Sequence, residues 1–374
     1  MIIDYKNLLQ GCYEADRLPK DFSSERIVPD FAFNVLNPLG LLYRPVVDED
    51  YLARGGAKPV WPGGKPFAVC LTHDVDLVSM SSFRQAARGR FETLVNGSLP
   101  AMKIRGLIGL GLDVERAVRS TPDPLHCYEC WLEVEEKVGA RSTFFFWPGW
   151  KAVGKHHPSD CLYDMEDRVV FNGQRCTVAE MIREINHRGW EIGLHPSWYS
   201  FDNAEEMKRQ KVALEAALGK DVVSVRQHYL HYDIRVTPRV QAEVGLKYDS
   251  TLGFNDNVGF RFGTCYPWRL YDLKAEKELP IVAMPLIIQD GAMLNPVKGM
   301  RLDEETAFQY VQQITDAVER VGGVLTLLWH PNAVINPPWW RVYLRSIEYL
   351  KERNAWFGSV RDVAEVRNII DLIT

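Results

Sequence analysis

From Phe67 onward the sequence repeats one beat: a short apolar run, a polar turn, an amphipathic helix closed by glycine, then the next run. The apolar runs are "FAVCLT" (Phe67–Thr72), "STFFFW" (Ser142–Trp147), "WEIGL" (Trp190–Leu194), "VVSVR" (Val222–Arg226), "LKYDST", "IVAMPLII" and "VLTLLW" (Val324–Trp329). Between them, "YECWLEVEEKVG" reads as a helix stopped by Gly139. "TVAEMIREINHRG" opens with Thr177 and Glu180 at capping-box spacing and stops at Gly189. "AEEMKRQKVALEAALG" starts after Asp202 and Asn203 and ends at Gly219, and "TPRVQAEVG" has Thr237 as cap and Pro238 at the first helical position. Helix Glu304–Gly323, a helix near Trp340–Arg353 and a last helix from Arg361 complete the series. Strands that are apolar throughout are covered on both faces, and strand–helix alternation joins them in parallel. The sequence therefore predicts an α/β domain with six to eight units, arranged as a barrel or an incomplete barrel.

The residue after each run carries the functional reading. "FAVCLT" is followed by His73, Asp74 and Asp76, a cluster costly to hold unless something neutralises it. "WEIGL" is followed by His195. "VVSV" leads to Arg226, with His228 and His231 close behind. "KY" leads to Asp249, and "VLTLLW" to His330. In a parallel barrel these strand ends meet at one mouth. A divalent metal takes carboxylate oxygen and imidazole nitrogen while keeping a position open for water, which makes Asp76 and His195 first candidates as ligands. Asp74 beside them suits a general base, and Arg226 suits a paired hydrogen bond that keeps Asp74 ionised. His330 is placed to protonate a leaving group, and Asp249 to orient an imidazole. Backbone N–H groups after Arg226 suit an oxyanion pocket. The chemistry indicated is metal-assisted hydrolysis of an acyl bond.

Composition fits this and excludes other classes. The 374 residues are 46% hydrophobic and 25% charged, with a net charge of −5 and no Lys/Arg block, so no nucleic-acid partner is expected. The stretch "IRGLIGLGLDV" is too short and glycine-rich to span a bilayer, and the N-terminus lacks the apolar core of a secretory signal. Seven cysteines without a framework spacing fit a reducing compartment, so a cytoplasmic location is expected. Residues 1–60 read as an N-terminal extension packed on a barrel of residues 61–374, with a helical insertion at about 79–125.

On these residues the chain resembles the NodB-like polysaccharide deacetylases, carbohydrate esterase family 4. "THDVD" resembles the D-x-D form of the first motif, which implies Asp74 as base and Asp76 as metal ligand. "EIGLH" resembles the second motif, with His195 as ligand. "VRQHY" supplies the arginine, Arg226, that pairs with the base. "GLKYDS" supplies Asp249, and "TLLWH" the catalytic-acid His330. The resemblance implies a distorted (β/α)7-type barrel, zinc as cofactor (with cobalt, nickel or manganese as alternatives), and removal of an acyl group, N-acetyl above all, from a carbohydrate or acylated amino-sugar substrate.

One position departs from the family pattern. The second motif has another histidine four residues after the first, and here that position is Tyr199. The replacement ligand is His228, Ser200 or water; His228 restores the expected donor set. The departure leaves two other readings open. One is a barrel that binds carbohydrate without catalysis; the other is a hydrolase of a non-sugar amide or cyclic imide.

Overall fold

The computed structural model describes residues 3–18, 34–80 and 123–366. The expected insertion helix at Phe83–Val95 and the end of the last expected helix lie outside the described residues.

Twelve strands occur among them: β1 (Ala68–Val75), β2 (Thr143–Phe146), β3 (Arg168–Phe171), β4 (Gln174–Thr177), β5 (Glu191–Leu194), β6 (Ser224–Val225), β7 (Tyr248–Asp249), β8 (Trp268–Asp272), β9 (Lys277–Ala283), β10 (Ile288–Gln289), β11 (Val324–Leu328) and β12 (Trp356–Phe357). The main sheet runs β10-β11-β1-β2-β5-β6-β7-β9-β8, parallel except for the β8–β9 pair; β12 also pairs with β1. Taken as a ring, β1, β2, β5, β6, β7, β9, β10 and β11 follow chain order, the order of a barrel. Between β9 and β10 no ladder forms. The four residues 284–287 cross this gap, with the Met284 amide donating to the Asp249 carbonyl and the Ile287 amide to Thr326. The architecture is a distorted, incompletely laddered β/α barrel.

The helices follow their sequence signals closely. Helix Val178–His187 has the Thr177–Glu180 capping box, and helix Ala204–Leu218 is capped by the Asn203 side chain on the Glu206 amide. Gly139, Gly219 and Gly322 end their helices with positive φ, where a side chain would be strained. Helix Thr237–Glu243 begins one residue earlier than expected, with Thr237 inside it. The apolar run "IVAMPLII" is two strands rather than one, because residues 284–287 serve the barrel's gap. A β3–β4 hairpin turns through Asn172 and Gly173, both at positive φ. That Asn-Gly pair is a hairpin signal in its own right.

Side-chain alternation along β1 builds two cores. Val69, Leu71 and Val75 face the helices in the main core, whereas Ala68 and Cys70 join Trp61, Phe145, Met284 and Val324 inside the ring. Phe145 fills the ring at the level of Gly193, where an added Cβ would sit 2.5 Å from its ring. Leu8, Leu36, Val46 and Val47, from the first sixty residues, pack into the main core.

Candidate metal centre and hydrolytic site

β1 runs three residues further than the sequence suggested, so His73 and Asp74 lie on the strand and point to opposite faces. This corrects the expected His73–Asp74–Asp76 cluster. His73 faces the helices, fully buried, with Nδ1 2.7 Å from the Trp329 carbonyl and Nε2 2.6 Å from Glu135. It does not enter the mouth.

Asp74 does enter it. Arg226, fully buried just past β6, places its guanidinium 4.7 Å over the Phe145 ring and donates from Nη1 to Asp74 (3.1 Å) and Thr72 (2.6 Å). Its Nε and Nη2 donate to the carbonyl and hydroxyl of Ser250. A planar fork with every arm engaged holds the Asp74 carboxylate in one place.

His195, immediately after β5, and His228, two residues beyond Arg226, converge on Asp76. His195 Nδ1 donates to the Arg226 carbonyl at 2.7 Å, and His228 Nε2 donates to the Ser159 carbonyl at 2.7 Å. Carbonyls only accept, so each ring spends its N–H there and turns its other nitrogen inward. Those two nitrogens lie 2.9 Å apart and 3.3 and 3.4 Å from the same Asp76 oxygen. Three acceptors facing one another need a positive charge between them. A tetrahedral ion at about 2.0–2.1 Å from nitrogen and oxygen ligands sets those ligands roughly 3.3 Å apart; the two nitrogen–oxygen spacings match that edge, and the 2.9 Å nitrogen pair is tighter. A proton is the competing occupant. Burial opposes charge on His228, yet Asp76 and Asp160 outweigh it and raise its pKa above the usual imidazole range. In that protonated arrangement burial pushes Asp76 up, but hydrogen bonds from His195 and His228 and the charges of His228 and His330 hold it well below the usual carboxylate range.

Tyr199 and Ser200 are absent from this cluster. Tyr199 packs its ring under the Lys155 ammonium at 3.9 Å, and the Ser200 hydroxyl donates to the Ser197 carbonyl.

His330 follows β11 by two residues. Its Nδ1 donates to Asp290 at 2.7 Å, its backbone amide donates to the other Asp290 oxygen at 2.8 Å, and its Nε2 lies 3.7 Å from Asp76. Burial lowers the His330 pKa, but the Asp290 charge and hydrogen bond prevail and raise it to about 10. His330 therefore carries its proton at neutral pH. The orienting carboxylate is Asp290 and not Asp249, which corrects the sequence expectation. Asp249 is fully buried, accepts from the Thr251 amide and hydroxyl, and is raised to about 6 by burial. Asp290 carries a signal like that of the other strand ends, a carboxylate just past an apolar run, with only Gln289 between them. A second correction concerns the oxyanion pocket: the amide after Arg226, that of Gln227, is taken by the Thr251 hydroxyl.

These residues open into a cleft of about 300 Å³, lined beyond the cluster by Tyr229, Asn255, Asn295, Lys298, Asn332 and Trp339. Tyr229 and Leu230 both have positive φ, and the Tyr229 carbonyl is held by Asn255. Larger hollows elsewhere contain none of the converging histidines.

Solved structures share this architecture. A Mycobacterium smegmatis protein described as a polysaccharide deacetylase matches with a TM-score of 0.53 at 21% identity, over 83% of this chain and 92% of its own. A Pseudomonas aeruginosa PAO1 protein of the same description matches at 0.51 and 18%, over 83% and 93%. The chain has the NodB-like polysaccharide-deacetylase fold. A structure titled Puue allantoinase matches this fold equally well, at 0.52 and 16% identity, over 83% and 93%. No known family model and no curated sequence matches the chain. No described helix is long and apolar enough to cross a membrane.

Proposed function

We propose that this protein is a metal-dependent hydrolase that removes an acyl group, N-acetyl first among the candidates, from a carbohydrate or acylated amino-sugar substrate. One observation carries the reading: His195, His228 and Asp76 turn three acceptor atoms toward one point, with their remaining ring hydrogens committed to carbonyls. Zinc suits two imidazoles and a carboxylate best, with cobalt, nickel or manganese as substitutes.

The chemistry such an ion supplies is Lewis acidity and a water made nucleophilic at neutral pH. Asp74, fixed by Arg226, accepts the proton of the attacking water. His330, held by Asp290 with Nε2 toward the cleft, gives its proton to the departing amine. Arg226 positions the base and does not touch substrate. In this reading residues 61–374 are the catalytic unit and the first sixty brace the sheet through Leu8, Leu36 and Val46.

A second reading is hydrolysis of a small cyclic amide or ureide. The cleft volume of about 300 Å³ and the likeness to a structure titled as an allantoinase favour it. Zinc-loaded protein assayed on N-acetylated amino sugars and on cyclic amides separates the two. Release of acetate that disappears in Asp74→Asn supports the first reading. Ring opening without acetate release replaces it with the second, and no turnover of either by metal-loaded protein defeats both.

A further inference from the structure

We propose that Cys161 is a fourth protein donor to the metal centre, joined by water as a fifth neighbour, making it a mixed sulfur, nitrogen and oxygen site. The inference rests on the reading that the Asp76–His195–His228 cluster holds a metal, and extends it to a residue that the motif pattern does not include. Cys161 is buried at 4% exposure, and its Sγ lies 3.8 Å from the Asp76 oxygen on which both histidines converge. The donor atoms of Asp76, Cys161 and His228 all lie within 4.8 Å of one another. With metal–sulfur bonds of about 2.3 Å and metal–oxygen bonds of about 2.0–2.2 Å, sulfur and oxygen ligands of one tetrahedral ion lie roughly 3.5 Å apart. The 3.8 Å separation is close to that edge.

The turn that carries Cys161 is built to hold it there. The Ser159 carbonyl is the one that fixes the His228 ring. Asp160 accepts from the amides of Trp198 (2.9 Å) and His157 (2.8 Å). Tyr163 donates to the Val75 carbonyl and accepts from the Trp147 amide, both at 2.8 Å, tying the turn to the end of β1. One short segment thus sets the orientation of one ligand and delivers a thiol beside another. On metal binding the thiol loses its proton to solvent and the sulfur becomes a thiolate donor. A soft donor biases the site toward zinc and cobalt over manganese and magnesium.

Cobalt reports sulfur ligation directly. Protein stripped of metal is titrated with Co²⁺ and its absorption recorded. The proposal expects visible d–d bands saturating at one ion per chain, together with a near-ultraviolet sulfur-to-cobalt charge-transfer band. In Cys161→Ser the charge-transfer band disappears while the visible bands remain, and zinc binding weakens roughly 10- to 100-fold, at least the loss seen when a ligand's supporting partner is removed. X-ray absorption of the zinc-loaded wild-type protein, which needs no variant to fold, is expected to show one sulfur scatterer at about 2.3 Å. One bound cobalt with no charge-transfer band, or zinc with only nitrogen and oxygen neighbours, overturns the role of Cys161 and leaves the three-residue centre standing. Failure of the wild-type protein to bind either ion overturns both.

Discussion

Two adjacent residues of β1 enter opposite kinds of polar cluster. His73 turns outward and meets Glu135, whose two oxygens also accept from Trp190 (2.6 Å), Tyr343 (2.9 Å) and the Ser142 amide (3.3 Å). Both His73 nitrogens and both Glu135 oxygens have partners, and the pair is sealed among Trp131, Phe144 and Tyr343. Asp74 turns inward to a cluster where acceptors face acceptors and the cleft gives access. Both clusters combine imidazole and carboxylate. Donor count and access separate them: the closed cluster supplies its own hydrogens and stabilises the fold, whereas the open one, in the proposed reading, takes an ion from the cleft.

That contrast yields graded expectations. The largest effect belongs to the open cluster. Asp74→Asn and His330→Asn, which keep an amide to pair with Arg226 and Asp290, each lower turnover by about 10²–10⁴-fold, with unfolding midpoints near wild type; steady-state assays on the substrate found active check this. The closed cluster shows the reverse. His73→Ala leaves the Glu135 carboxylate buried without its ionic partner and destabilises by about 3–5 kcal/mol, readable in urea unfolding. The folded fraction of that variant still binds zinc.

A smaller effect tests how the barrel interior supports the open cluster. Gly193→Ala drives a Cβ into Phe145, on which the Arg226 guanidinium rests, and overpacking of this kind costs about 1–3 kcal/mol. Because Arg226 holds Asp74, this variant loses activity as well as stability, unlike a substitution confined to the helix side.

The smallest effect sharpens the comparison through a third buried carboxyl. Burial raises Glu135, but the His73 charge and several hydrogen bonds outweigh it and leave the group low. Asp48 has only the Thr264 hydroxyl and the Cys265 amide and thiol as donors, and burial leaves it raised to about 7. A carboxyl raised on folding binds its proton more tightly in the native state. Its stability contribution is therefore present at acid pH and lost as pH rises through about 7. Glu135 has the opposite sign, its contribution being lost as pH falls. Urea midpoints between pH 5 and pH 8 are expected to fall in the wild type and to fall less in Asp48→Asn.

Much of this was legible from local signals. Caps and terminal glycines located the helices, and polar residues after apolar runs located Asp74, Asp76, His195, Arg226, His228 and His330. What escaped depends on distance and register. Ending β1 at Thr72 instead of Val75 hid the alternation that separates His73 from Asp74. Reading residues 281–288 as one strand hid the bridge across the barrel and, with it, Asp290 at the next strand end. Cys161 sits in an irregular turn, and only the three-dimensional approach of that turn to β1 sets its thiol beside Asp76.

Zinc stoichiometry compared across the two clusters tests the central claim most directly. After zinc loading and exhaustive dialysis, the account predicts one zinc per chain in the wild type and in the folded fraction of His73→Ala, and close to none in Asp76→Asn or His228→Ala. A wild-type protein that retains no zinc, or an Asp76→Asn protein that retains it fully, would contradict the account.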